Sequence, residues 1–267
     1  KKYLKICNGF DHIFKKTSAL YGLQLLERDF QNLNDFYILN KPLSDLIYKI
    51  VNKIVNLGIK IKLNTELIDF TKKNNIYELQ CNNEKYKCKN IIIAIPYYSL
   101  KKIFKNKSIN NMIETVNPIP LCRIFSVFPK HNYWHKNMNF TFTDNKIQRI
   151  LTKNSELIQI SYSSNENAKF WDKKTIELKK EIVKNLKKMF KNKKIEDPVW
   201  INKHYWEAGI HLWKKNVNGD KITKNIIKPY QNENIYICNE AYSYQQRWME
   251  GAIEMSNRVV KMLLNKK

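Results

Sequence analysis

The segment that decides the fold runs from Asn234 to Glu254 and reads NIYICNEAYSYQQRWMEGAIE. Its apolar start, Ile235–Cys238, predicts a buried strand, and the pattern that begins at Met249 predicts a closing helix. Glu240 stands at the carboxyl end of that strand, where a carboxylate can accept hydrogen bonds from sugar or ribityl hydroxyls. The helix N-terminus offers free N–H groups to an anionic ligand, and Gly251 would let such a ligand approach the backbone closely. The segment therefore predicts a ligand site at a strand-to-helix turn.

Upstream of this segment, hydrophobic periodicity predicts helices that alternate with short strands. The predicted elements are an amphipathic helix over 43–55, strands over 59–63, 77–81, 91–95, 121–128 and 235–238, two strands within 139–163, and helices over 173–191 and 249–264. The run Ile91–Ile95 is continuously apolar, so we expect it to be buried on both faces and to end at Pro96. Ile176 is expected on the apolar side of its helix. This order of elements predicts an α+β or α/β protein with mixed sheets.

The charge of the chain is strongly positive. Lys and Arg total 48 against 24 acids, a formal net charge of +24, which raises the possibility of nucleic-acid binding. Only five of these cations are Arg, and Asn and Ile are abundant along with Lys, as an AT-rich coding bias would produce. No RNA- or DNA-binding motif accompanies the charge, so a basic nucleic-acid-binding protein is an alternative that rests on charge alone.

Other classes are limited by composition. Hydrophobic residues make up 43% of the chain, which argues against a wholly disordered protein, and no apolar run approaches the ~18 residues of a membrane span. The five cysteines form neither a CxxC pair nor a zinc spacing, so we predict no metal site and reduced thiols. They are Cys7, Cys81, Cys88, Cys122 and Cys238. Reduced thiols predict a cytoplasmic location, with virion association as the alternative if the coding bias reflects a viral source.

The C-terminal segment resembles the flavin-containing amine oxidase superfamily, which includes monoamine oxidases, polyamine oxidases and lysine-specific histone demethylases. In that family the last strand is followed by Gly-Glu, a short loop, an aromatic residue and Met/Leu-Glu-Gly-Ala before the final helix. The matching residues here are Asn239–Ala241 and Trp248–Ala252. The alternative is a generic strand-to-helix turn with a capping acid.

Further segments resemble the same family in the same order. Thr65–Phe70 is similar to the strand whose backbone holds the adenine of FAD, and Ile91–Pro96 is similar to the family's Ala-x-Pro turn. Trp206–Trp213 is similar to the aromatic segment on the substrate side. Asn40-Lys41 departs from the family, which usually has Gly-Gly there. The resemblance covers nearly all 267 residues but only the C-terminal half, or slightly more, of a family member.

The resemblance implies the C-terminal part of an FAD-binding, Rossmann-like amine oxidase fold with a mixed-sheet substrate domain. The implied segments are 1–40 in the substrate domain, 41–100 in the FAD domain, 101–215 in the substrate-binding domain, and 216–267 as the C-terminal FAD-binding strand and helix. No two of the six glycines lie close enough to form GxGxxG. We therefore expect an N-terminal GxGxxG-bearing segment or companion chain as a partner, without which this chain would be unstable.

The resemblance also implies a set of cofactor contacts. Glu240 would bind the ribityl chain, the backbone at Leu67 the adenine, and the turn Met249–Ala252 the flavin ring. The residues implied to contact FAD are Leu67, Glu240, Trp248, Met249, Gly251 and Ala252. Cys238 does not occupy the position of the cysteine that binds flavin covalently in some members, so we predict non-covalent FAD.

Three residues are implied to have catalytic roles. Trp248 would form one wall of an aromatic sandwich around the amine, and His211, two residues after Gly209, would form the other. His211 could equally be a structural histidine. Arg123 stands where many members carry a Lys that is bridged by water to flavin N5, and Arg does not deprotonate as Lys can. A charge in an apolar strand requires a partner or a site.

The implied reaction is oxidation of a small-molecule amine by hydride transfer from its C–N bond to flavin, with oxygen as the acceptor. Two alternatives from other classes stay open. One is a catalytically inactive relative with a structural role, for example in a virus particle, which Arg123 and the absent Gly-Gly suggest. The other is the basic nucleic-acid-binding protein.

Overall fold

The structure is a computed structural model of the 267-residue chain. It describes residues 16–29, 40–132, 134–138, 140–152 and 156–265. The predictions for residues 1–15, including Cys7, lie outside this part of the chain. The chain divides into one unit of residues 1–22 and 92–267 and another of residues 23–91. Helix α1 (Ala19–Asp29) spans the boundary between them.

The unit of residues 23–91 combines a helix with a three-stranded antiparallel sheet. Its elements are α2 (Leu43–Asn56), β1 (Leu67–Lys73), β2 (Ile76–Cys81) and β3 (Lys85–Cys88), in the strand order β1-β2-β3. Asn74 and Asn75 join β1 to β2 and both have positive φ, as a tight two-residue hairpin requires. The predicted helix over 43–55 and strand over 77–81 are confirmed.

The predicted strand over 59–63 is wrong. These residues form no strand, and Ile59, Ile61 and Leu63 are all exposed. Alternation alone does not make a strand, because the backbone N–H and C=O groups need a ladder partner. None of the strand pairings in the described part of the chain includes this segment.

The larger unit is built around a central antiparallel sheet. Its elements in chain order are β4 (Ile91–Ile93, which begins at the unit boundary), α3 (Tyr97–Ile103), α4 (Lys107–Ile113), β5 (Val116–Val127), β6 (Thr141–Phe142), β7 (Arg149–Ile150), β8 (Leu157–Ser164), α5 (Asn165–Asp172), α6 (Leu178–Met189), β9 (Trp200–Trp213), α7 (Gly219–Ile226), β10 (Ile235–Ile237), a 3-10 turn (Glu240–Tyr242) and α8 (Met249–Leu264). Strand β5 lies between β8 and β9.

One face of this sheet forms the main core with α5 and α6. Cys122 and Ile124 of β5 are fully buried together with Trp171 of α5 and Ile182 of α6. Burial raises the pKa of the Cys122 thiol to about 12, so this cysteine stays protonated at neutral pH. At the irregular register between Ile119 and Leu121, a Cβ on Gly209 would lie 2.7 Å from Leu121 Cγ, so only glycine fits there.

Several boundaries in this unit differ from the sequence predictions. The helix predicted over 173–191 is shorter, and Ile176 lies before its start and is 98% exposed rather than packed. Three strands, not two, lie within 139–164. The short β6–β7 hairpin is held by Asn145, whose Oδ1 accepts hydrogen bonds from Ile147 N–H at 2.9 Å and the Thr143 hydroxyl at 3.1 Å.

The predicted buried strand over 91–95 is also wrong in part. Strand β4 ends at Ile93, and Ile92 is 49% exposed while its two neighbours are buried. In the described part of the chain, β4 pairs only with β10, and Cys238 N–H donates to Ile93 O at 2.9 Å. A two-stranded ladder with one covered face produces this alternation, whereas continuous burial needs neighbours on both faces.

Membrane-spanning helices and clusters of metal ligands were both sought in the described residues. No helix in the described residues is long and apolar enough to cross a membrane. Within the same residues, no three His, Cys, Asp or Glu side chains are grouped as a metal ion would require.

The core of the larger unit predicts the outcome of a truncation in α6. Ile182→Ala should lower the free energy of unfolding by about 2–5 kcal/mol, because it leaves a cavity against the sheet. Lys180→Ala on the exposed side of the same helix should change it by less than about 0.5 kcal/mol. Urea unfolding of the two variants measures the difference, and equal values would contradict this account of the core.

Candidate active site

The turn after β10 is fixed by Asn239. Its side-chain Oδ1 accepts a hydrogen bond from Ala241 N–H at 2.8 Å, and its Nδ2 donates to Ile95 O at 2.6 Å. Asparagine suits this position because its short side chain can bond backbone groups two residues ahead. These two bonds tie the chain after β10 to the chain after β4, and they position Glu240 as the first residue of the 3-10 turn.

Glu240 and His211 form a largely buried pair. Glu240 Oε2 lies 2.8 Å from His211 Nδ1, and the two side chains are 20% and 6% exposed. The other carboxylate oxygen accepts a hydrogen bond from Arg247 N–H. A carboxylate accepts hydrogen bonds, so Nδ1 is the nitrogen of His211 that carries a proton. The pair joins β9 to the loop before α8.

The far side of the His211 ring is closed to solvent. Nε2 is buried and has no hydrogen-bond partner in the described part of the chain. The ring of Tyr97 lies beside the imidazole, with centroids 5.7 Å apart. A buried ring nitrogen that has no hydrogen-bond partner is costly.

The loop between the 3-10 turn and α8 is packed through Gln246 and Gly251. Gln246 is buried, accepts from Trp213 N–H at 3.1 Å and donates to Ala241 O at 2.5 Å. A Cβ on Gly251 would lie 2.3 Å from both Gln245 O and Ser243 Oγ. The chain's own loop therefore occupies the space beside Gly251, which gives this glycine a packing requirement.

The N-terminus of α8 is open. Trp248 is the N-cap residue and provides no side-chain hydrogen bond to the first turn. Trp248 and Met249 are 50% and 60% exposed, and Ala252 is exposed as well. Gly251 N–H donates to Trp248 O at 3.2 Å, so the N–H groups of Met249 and Glu250 and the positive end of the helix dipole are what this terminus offers to a polar or anionic group of a ligand.

The structure brings some of the predicted site residues together and separates others. Glu240 contacts His211, and the loop residue that bonds Glu240 directly precedes Trp248. Arg123 lies opposite His204 on β9, whereas His211 lies opposite Pro118 of β5. The five residues of β5 from Pro118 to Arg123 span roughly 15 Å, so Arg123 and His211, both predicted to be catalytic, lie apart.

Leu67 belongs to the other unit. It is the first residue of β1 and is half-buried.

The supporting roles of Asn239 and Gln246 were not predicted from the sequence. The role of Asn239 could have been predicted, since an Asn at a strand end favours a turn held by its own side chain. Gln246 carries no such local signal, because its partners are backbone groups on β9 and in the 3-10 turn.

Comparison with known proteins identifies the family of this chain. A family model for flavin-containing amine oxidoreductases matches residues 1–264. The chain belongs to this family. Both the predicted resemblance and the predicted fold class are thereby confirmed.

Among solved structures, the chain is similar to a candidate protoporphyrinogen oxidase from Exiguobacterium sp. 255-15, with 12% sequence identity and a TM-score of 0.66. The similarity covers 90% of this chain and 55% of that one, so this chain spans about half the length of its structural neighbour. At this identity the likeness concerns the fold. No curated protein matches the sequence.

The packing at Gly251 predicts whether a substitution there raises or lowers the free energy of unfolding. In an open helix, Gly→Ala stabilises by about 0.4–1 kcal/mol, but here the new Cβ would clash with a carbonyl oxygen. Gly251→Ala should therefore destabilise the protein, by about 1–3 kcal/mol, as overpacking does. Chemical unfolding gives the sign directly, with the exposed neighbour Glu250→Ala as the control. A more stable Gly251→Ala variant would show that the loop does not fill this space.

Proposed function

We propose that this chain is the C-terminal portion of an FAD-dependent oxidoreductase that oxidises an amine at its C–N bond. Membership of the flavin-containing amine oxidoreductase family, over residues 1–264, is the observation that carries the proposal. The flavin-containing character belongs to the family. FAD as the particular flavin, non-covalent binding, the amine substrate and oxygen as the electron acceptor are parts of the proposal.

The residues after β10 fit the polar portion of such a cofactor. Each carboxylate oxygen of Glu240 has a second lone pair beyond the bond it already accepts, and the side chain keeps some exposure. His211 and Arg247 N–H hold the carboxylate in one orientation, so it would accept a ribityl hydroxyl without a further loss of rotamer freedom. When bound, the flavin would supply the hydride acceptor.

The remaining polar requirement is a cradle for the pyrophosphate of FAD. The six glycines of this chain are dispersed and do not form the closely spaced turn that a cradle needs. We propose that a GxGxxG-bearing polypeptide, N-terminal in the same protein or a companion chain, completes the site.

Helix α2 supports the need for such a partner. It carries an apolar stripe that includes Leu46, Ile47 and Ile50, yet none of its residues is buried. A stripe of this kind is typical of a helix that packs against another element. The coverage of only 55% of the structural neighbour agrees with a fold that further polypeptide completes.

A catalytically inactive relative is the second candidate, and Arg123 is the observation that favours it. The guanidinium lies over the Tyr162 ring, 3.9 Å from its centroid, so this cation already has a contact within its own sheet. An Arg held in this way does not reproduce the chemistry of a lysine that can give up its proton.

Co-expression tests the need for a partner and the non-covalent attachment of the flavin. The chain produced alone should aggregate and carry little flavin, whereas co-expression with a GxGxxG-bearing segment should give a soluble complex with visible flavin absorbance. Denaturation with acid should release the flavin, because the attachment is non-covalent. A soluble monomer that binds FAD tightly without a partner would contradict the need for one, and protein-bound flavin after denaturation would contradict non-covalent attachment.

Glu240→Ala should weaken flavin binding in that complex. Loss of a hydrogen bond to a charged group is worth roughly ten- to a hundred-fold in affinity. Glu177→Ala removes an exposed acid just before α6 and should leave the affinity within about threefold of wild type. Flavin titration followed by fluorescence quenching measures both, and unchanged affinity in Glu240→Ala would remove Glu240 from the site.

A further inference from the structure

Helix α8 has two apolar faces, and only one of them is buried. The residues of the buried face are Gly251, Met255 and Val259. A second set of apolar side chains recurs at spacings of four, seven and four residues, which places its members within roughly 60° of one another around the helix. We call this set the α8 stripe, and its members are Met249, Ile253, Val260 and Leu264.

The α8 stripe is open to solvent. Its four side chains are between 48% and 65% exposed, although residues of these types are usually buried. The polar residues of α8 lie on a different side of the helix and include Glu250, Lys261 and the ion pair of Glu254 with Arg258, whose atoms are 2.9 Å apart. A helix that is apolar on two sides is typical of one that packs between two layers. In the described part of the chain, only the buried face of α8 is covered by such a layer.

The place of the stripe in the fold indicates which polypeptide covers it. Met249 is the first residue of α8 and also the first member of the stripe, so the stripe starts at the helix end that belongs to the candidate cofactor site. The pyrophosphate cradle that the dispersed glycines cannot form must lie close to the same site. In a GxGxxG unit the glycine turn opens a helix, and the pyrophosphate lies at the N-terminus of that helix. That helix and α8 would therefore begin beside one cofactor.

We propose that the α8 stripe is the docking surface for the helix that follows the GxGxxG turn of the partner polypeptide. This inference rests on the proposed function, since the partner is the one that completes the cofactor site. The partner helix would present an apolar face of its own, because the stripe is stabilised by removal of its apolar area from water. The coverage of 55% of the structural neighbour agrees with a partner of comparable size to this chain.

Two other occupants fit the α8 stripe less well. The polar side of the helix holds two acids, Glu250 and Glu254, and two cations, Arg258 and Lys261, so it gives no net attraction to an anionic lipid surface. A second copy of this chain would cover Met249 in both copies without supplying a pyrophosphate cradle. The partner helix is the occupant that satisfies both the apolar stripe and the cofactor site.

Co-purification tests this docking surface. The chain is co-expressed with an affinity-tagged GxGxxG-bearing segment, and the amount of chain retained with the segment is measured. Ile253→Lys places a charge in the middle of the stripe and should lower that amount by about tenfold or more, because burial of an unpaired charge is costly. Ile176→Lys makes the same change at an isoleucine that is 98% exposed, and it should keep the amount within about twofold of wild type.

A conservative variant separates loss of docking from loss of folding. Ile253→Leu keeps the apolar character of the stripe and should be retained within about twofold of wild type. Since Ile253 is exposed in this chain, Ile253→Lys should keep the helical content of the wild type, which circular dichroism of the soluble fraction measures.

Equal retention of the wild type and Ile253→Lys would overturn the proposal, as would failure of the wild-type chain to be retained at all. A dimer of the chain alone that Ile253→Lys converts to a monomer, with the segment still bound, would assign the stripe to a second copy instead. Loss of phosphatidylserine-vesicle binding in Ile253→Lys, with the segment still bound, would assign it to lipid.

Flavin content of the same complexes separates this proposal from the proposed function. A complex that Ile253→Lys disrupts but that holds no flavin would contradict the oxidoreductase assignment and support the docking surface. A flavin-bearing complex that forms equally well with Ile253→Lys would contradict the docking surface alone.

Discussion

The bond between Glu240 and His211 is the interaction on which the C-terminal segment depends. Strand β9 and the loop before α8 are far apart in sequence, and this 2.8 Å contact joins them at a largely buried position. The second oxygen of the same carboxylate accepts a hydrogen bond from Arg247 N–H, directly before Trp248, the N-cap residue of α8. One side chain thus sets both the orientation of the loop and the entry into the helix. Removing it would leave the buried imidazole with two unpaired nitrogens, which costs more than one lost bond.

The parts of the fold that sequence could predict are those decided by local pattern. Helix α8 begins at Met249 and ends at Leu264, as expected, because an apolar periodicity follows an extended N-cap residue. The strand predicted over 59–63 failed for a different reason. Its alternation of apolar and polar residues is real, but strand formation also needs a partner, and no local pattern states whether one is present. The same holds for Ile92, whose exposure depends on what covers β4 and not on its own residue type.

In the candidate site too, local features were predictable from the sequence and contacts between distant residues were not. Residue identity pointed to Glu240 and to the start of α8, because a strand-end acid before a helix has a recognisable chemistry. No local pattern indicates that Glu240 pairs with His211 or that Gln246 accepts from Trp213 N–H, because these contacts join residues 29 and 33 positions apart. Gly251 has a different role from the one that the sequence predicted. It was expected to admit a ligand, yet the space next to its Cα is filled by Gln245 O and Ser243 Oγ.

The role that the family resemblance implies for Arg123 differs from the contact that Arg123 makes in the structure. By resemblance it replaces a lysine near the flavin, and the structure places its guanidinium over Tyr162 with Arg149 beside the same ring. The net charge of +24 does not explain this arrangement, because the residues that β8 and β9 place opposite Arg123 are Tyr162 and His204 and not lysines. A diffuse excess of lysine and a local pair of arginines on aromatic rings are different physical features. The first raises the average potential of the surface, whereas the second is a set of local contacts between cations and one ring.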